Sequence, residues 1–139
     1  MKRKKALFLI VVLMGMLLAG CGEKAERPEK IKDVEYTVLE EGEVPEELLE
    51  KMKEKKKEPF TMSYQSEGYV YIAKGYGTQN TSGYSIRVKE LYEAAEGIVF
   101  VCELLGPGKS EPVLQVETYP SIVVKIPDLG LEVLPETVN

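Results

Sequence analysis

The hydropathy pattern divides the chain into an apolar leader, a charged stretch and a long alternating region. Lys2, Arg3, Lys4 and Lys5 precede an apolar run from Ala6 to Leu18 broken only by Gly15. That run is 13 residues long, whereas a spanning helix needs roughly 20. The pattern predicts a cleaved export signal over 1–20. Residues 21–32 are then charged and without period, as a tether would be, and 33–139 read as one β-rich domain.

Inside that domain Val34-Glu35-Tyr36-Thr37-Val38 alternates with period two and predicts a first strand that ends at Gly42. Pro45 to Lys57 predicts a helix. Pro45 suits its first position, Glu46 and Glu47 the positive end of its dipole, and Lys53, Lys55, Lys56 and Lys57 the negative end. Leu48, Leu49 and Met52 form a narrow stripe to lay on a sheet, and Pro59 stops the helix. The basic end reads as a solvated helix terminus, with a patch for an anionic partner as the alternative. Strands follow at Tyr69–Ala73, Tyr84–Lys89, Ile98–Leu105, Val113–Thr118, Ser121–Ile126 and Leu131–Leu134, separated by Gly- and Pro-rich turns. Glu90 to Glu96 reads as a single helical turn or a wide loop. The expected fold is mainly β within the α+β class: an antiparallel sandwich or partly open barrel of six to seven strands with one packed amphipathic helix.

Composition narrows the function. Leu18-Ala19-Gly20-Cys21 places small residues before a cysteine, as in a bacterial lipoprotein signal, so Cys21 is the expected lipidation site. The mature protein is then lipid-anchored on the extracytoplasmic face of the membrane. Without the leader, 14 Lys/Arg stand against 23 Asp/Glu, a formal charge of −9, which disfavours nucleic acid as a partner. With Cys21 acylated, Cys102 has no intramolecular partner, and its apolar surroundings predict an inert buried thiol.

No histidine occurs anywhere. This removes the usual general base and the commonest metal ligand. Glu40-Glu41 and Glu46-Glu47 fall in a polar turn and an exposed helix start, a poor setting for acid–base catalysis. Asp33 and Asp128 are the only aspartates and lack calcium-loop spacing. No catalytic residue, metal or cofactor is expected.

The most distinctive segment runs from Gly75 to Ile86. A strand follows it where a phosphate-binding loop would open a helix, so a nucleotide is not its ligand. It reads as a long hairpin connection whose glycines take positive φ, and as a candidate contact loop through Tyr76, Gln79, Asn80 and Thr81, with Lys109 on the neighbouring Gly106–Pro112 loop. The tyrosines Tyr64, Tyr69, Tyr71, Tyr76 and Tyr84 raise an alternative, an aromatic surface for envelope glycan or peptide.

Gly75 and Gly77, then Ser82-Gly83-Tyr84-Ser85-Ile86-Arg87-Val88, Gly106-Pro107-Gly108, and Val116-Glu117-Thr118-Tyr119-Pro120 leading into Ile122–Ile126 resemble, in order, the C-terminal domain of the PrcB family of protease complex subunits. The resemblance covers about 70–127. Gln79-Asn80-Thr81-Ser82 depart from it, since members often carry a basic residue before the Gly-Tyr element. The resemblance implies a non-enzymatic partner of an exported subtilisin-like serine protease, with Gly75, Gly77, Gly83, Tyr84, Tyr119 and Pro120 as scaffold and no catalytic residue. A protease inhibitor presenting the Gly106–Pro112 loop is a further alternative.

Overall fold

The computed structural model describes residues 27–135. The signal at 1–20 and Cys21 lie outside them. Seven strands and one helix follow in the order β1 (Lys30–Asp33), β2 (Thr37–Val38), a short 3-10 turn (Glu41–Glu43), α1 (Glu46–Lys55), β3 (Pro59–Ser66), β4 (Tyr69–Tyr76), β5 (Ser85–Ala94), β6 (Gly97–Leu105) and β7 (Ser121–Pro127). They form a three-stranded sheet, β1-β5-β6, and a four-stranded sheet, β2-β7-β4-β3, in which every pairing is antiparallel. This is a mainly β sandwich with one packed helix and no closed barrel.

The period-two pattern decides which side chains meet. Val70 and Ile72 of β4, Val124 and Ile126 of β7, Leu91 of β5 and Ile98, Phe100 and Cys102 of β6 fill the space between the sheets, joined by Val34. The opposite face of the four-stranded sheet presents Ala73 and Val123 to Leu48 and Met52 of α1. Two such buried side chains contribute roughly 3–6 kcal/mol, more than a ten-residue helix supplies by itself in water. A third cluster, Tyr92, Ala94, Val99 and Val101 with Leu134 against them, lies on the other side of β5 and β6.

Several expectations need correction. Val34–Val38 is not one strand: β1 pairs with β5 and β2 with β7, so the chain crosses between sheets at 34–36. Lys30, Ile31 and Lys32, assigned to the tether, belong to β1, where Lys30 and Lys32 reach Glu90 and Glu93 at 3.6 and 3.7 Å. Glu90–Glu96 is neither helical turn nor wide loop. β5 runs on to Ala94 past a bulge between Val88 and Glu90 and turns tightly into β6.

β3 was missed altogether. Pro59, expected only to stop the helix, also opens this strand, which the sheet tolerates because β3 is an edge. Val113–Thr118 is not a strand of either sheet, and Leu131–Leu134 pairs with one only through the isolated Ile98–Val133 bridge.

Candidate functional site

The two sheets are joined at one end by two crossing connections. After Tyr76 the chain leaves the four-stranded sheet and enters β5 of the other; after Leu105 it returns through 106–120 to β7. The Gly75–Ile86 segment is therefore a sheet-to-sheet crossover rather than a hairpin.

Backbone chemistry fastens the crossovers to each other. The Gln79 amide donates to the Thr118 carbonyl at 2.8 Å and the Thr118 amide to that of Gln79 at 2.9 Å. The Ser82 amide donates to the Leu114 carbonyl at 3.0 Å, and the Leu114 amide to Ser82 Oγ at 2.8 Å. Thr118 Oγ1 donates to the Thr81 carbonyl at 2.7 Å. Gly83 sits where these lines meet. Its φ is +93°, and a Cβ there would come 2.9 Å from Pro107 Cβ, so only glycine fits without displacing the other loop.

The candidate contact residues separate on this frame. Asn80 and Lys109 are exposed, whereas Gln79 and Thr81 are half-buried, with Gln79 Nε2 donating to the Tyr76 carbonyl at 3.2 Å. Tyr76 is a poor contact residue: its hydroxyl is buried, and burial pushes it up to about 12. The sequence reading passed over the most exposed apolar side chains of the crossovers, Leu114 at 68% and Val116 at 50%. Their alternation is a strand signal, but only one backbone edge of the segment is paired, with a loop.

The scaffold residues also differ in role. Gly77, at φ +73°, lies against the Lys57 carbonyl, 3.1 Å from where its Cβ would be. Gly75 does not take the expected positive φ; it is glycine because the Phe60 ring covers it. Tyr84 is half-buried just before β5. Tyr119 lies beneath the Lys56 ammonium at 4.5 Å, and the Pro120 carbonyl accepts the Tyr76 amide at 3.0 Å.

Tyr64 and Tyr71 pack in the cluster beneath α1, apart from Tyr84, and Tyr69 joins Tyr71 only through Lys125. Lys125 Nζ stands 4.0 Å from the Tyr69 ring centre and 5.7 Å from that of Tyr71. It covers the ring face on which a sugar would stack. Of the acidic pairs, the Glu47 carboxylate accepts the Tyr64 hydroxyl at 3.0 Å, while Glu40 takes part through its backbone amide, which donates to Glu43 Oε1 at 3.0 Å. Burial pushes the Cys102 thiol up to about 11, away from nucleophilic reactivity. Among the described residues no three His, Cys, Asp or Glu side chains are grouped to hold a metal.

No curated protein and no solved structure matches the chain. The family model PrcB C-terminal matches residues 70–127, which run from β4 through both crossovers to the end of β7. This matched stretch takes in Gly75, Gly77, Gly83, Tyr84, Tyr119 and Pro120, the residues that close the crossovers. Residues 70–127 thus match the PrcB C-terminal domain.

Proposed function

We propose that this chain is a membrane-anchored, non-enzymatic binding subunit that associates with an exported subtilisin-like serine protease and stabilises or regulates it. The observation that carries the reading is the PrcB C-terminal domain spanning the two fastened crossovers. Exposed loops on a rigid sheet are where binding residues concentrate, and Asn80, Lys109, Leu114 and Val116 are among the exposed side chains of this end. Lipid on Cys21 would hold the domain at the extracytoplasmic membrane face. A module that binds only the native protease lowers its unfolded or self-cleaved fraction by RT ln(1 + [L]/Kd), about 2.7 kcal/mol at one hundred times Kd. Confinement to the same membrane raises the effective concentration.

Crosslinking on intact membranes followed by capture of this chain tests the reading, with the captured material scored by an active-site serine-protease label. A labelled subtilisin-like protease that disappears when Asn80→Ala and Lys109→Glu are combined is the expected result. Capture of other envelope proteins with no labelled protease would overturn it.

A further inference from the structure

We propose that the groove between α1 and the β2–β7 edge receives an extended segment of a partner polypeptide, apolar in its centre and flanked by acidic side chains. The groove encloses about 500 Å³. Val38, Leu39, Phe60, Ile122 and Val123 give it an apolar floor. Its wall is helical: Leu49, Met52, Lys53 and Lys56 line it, and their i, i+3, i+4, i+7 spacing puts them on one face of α1.

Charge selects the occupant. Lys51, Lys53, Lys55, Lys56 and Lys57 form the densest basic cluster of an otherwise acidic domain. Among the described residues none of them forms an ion pair. The negative end of the helix dipole explains why lysines are tolerated there. It does not explain why Lys53 and Lys56 border an apolar groove whose lining holds a single carboxylate, Glu41. Carboxylates beside an apolar stretch would complement both features.

A bilayer is the weaker occupant. An anionic membrane would face the whole of residues 21–139, with a formal charge of −9, whereas a short acidic segment meets only the lysines locally. The backbone also suits a peptide, because β2 is a two-residue edge strand whose far side is open for main-chain hydrogen bonds. Tyr119, Pro120 and Ser121 also line the groove and continue from the crossover that exposes Leu114 and Val116. An occupant could thus run from the groove onto those side chains. The inference does not depend on the partner being a protease.

The test is selection of phage-displayed random peptides on the full-length chain in detergent micelles, followed by anisotropy titration of the selected peptide. Selected sequences should carry Asp or Glu next to apolar residues, and their binding should weaken as salt is raised. Lys53→Glu with Lys56→Glu should weaken binding about tenfold, the scale of one close charge contact, and Val38→Gln should weaken it as well. The milder Lys53→Gln with Lys56→Gln serves if charge reversal harms folding, and thermal melts of every variant should match the parent. Basic or neutral selected sequences, or binding indifferent to the lysine and Val38 changes, would overturn the proposal. So would the absence of any selected peptide while phosphatidylglycerol vesicles bind through the same lysines.

Discussion

The ring of Phe60 lies across the α-carbon of Gly75, its antiparallel partner in β4, so closely that a Cβ at position 75 would meet Phe60 Cε1 at 2.6 Å. An aromatic on an edge strand thereby covers the gap that glycine leaves in a central one, and the pair also walls the groove beside α1. Gly75→Ala is expected to destabilise by about 1–3 kcal/mol, towards the lower end because the tip of a half-buried ring can swing aside. Adding Phe60→Leu should recover part of the loss. Urea melts of the single and double variants measure this coupling, and strict additivity would contradict it.

The β3–β4 hairpin turns through Glu67 and Gly68, at φ +51° and +83°. Two positive values are what a two-residue turn matching strand twist requires, and Asn is far better suited than Glu to the first. Glu67→Asn should raise stability by about 0.5–1 kcal/mol, seen as a higher melting temperature. An unchanged or lowered melt would show that the turn is not strained there.

At the crossovers, substitutions should split into two classes. Gly83→Val should cost about 1–3 kcal/mol, through positive φ and the approach of Pro107. Asn80→Ala and Lys109→Glu should stay within about 0.5 kcal/mol, being exposed. Gln79→Ala should fall between them, since its side chain caps the Tyr76 carbonyl. Comparable melts for all four would contradict the interlocking of the loops.

Cys102 supplies an alkaline signature. Burial raises its pKa from 9.0 to about 11, so the native state keeps a proton that the unfolded chain gives up earlier. The resulting stability is whole below pH 9 and is lost as pH climbs towards 11, by about 2 kcal/mol or less. Tyr76, pushed up to about 12, acts in the same sense at higher pH. Lys74, lowered by burial, acts oppositely. The difference between the parent and Cys102→Ala reads the thiol together with its coupling to Lys74, and the parent should lose stability more steeply over that window. Parallel curves would show that Cys102 does not titrate differently on folding.

For the anchor, Cys21→Ala should leave the precursor unprocessed by the lipoprotein peptidase and free of radiolabelled fatty acid. Acyl label on that variant would refute the assignment.

Much of the sandwich could be read from periodicity, and the misreadings share physical causes. Tyr69–Ala73, Ile98–Leu105 and Ser121–Ile126 were plain because their β-branched and aromatic residues face a core on at least one side. The reading of β5 halted at Lys89 because the bulge after Val88 breaks the period of two, hiding Leu91 and Tyr92 in what looked like a turn. β3 went unseen because Thr61, Ser63 and Gln65 occupy the exposed positions of an edge strand. Leu114 and Val116 misled in the other direction, for their alternation serves exposure rather than burial. Of the candidate site, the loops and their glycines were visible in the sequence. The groove was not, since its walls come from residues more than sixty positions apart, such as Lys53 and Tyr119.

The fastening of the two crossovers has a consequence for chain integrity. A single cut in the exposed turn around Lys109 would leave one new end packed at Gly83 through Pro107 and the other hydrogen-bonded to Ser82 through Leu114. The N-terminal fragment would keep β1 to β6 and the C-terminal fragment β7, which is hydrogen-bonded between β2 and β4, and they would stay assembled without the severed bond. Continuity of the backbone would then not be needed at this exposed turn.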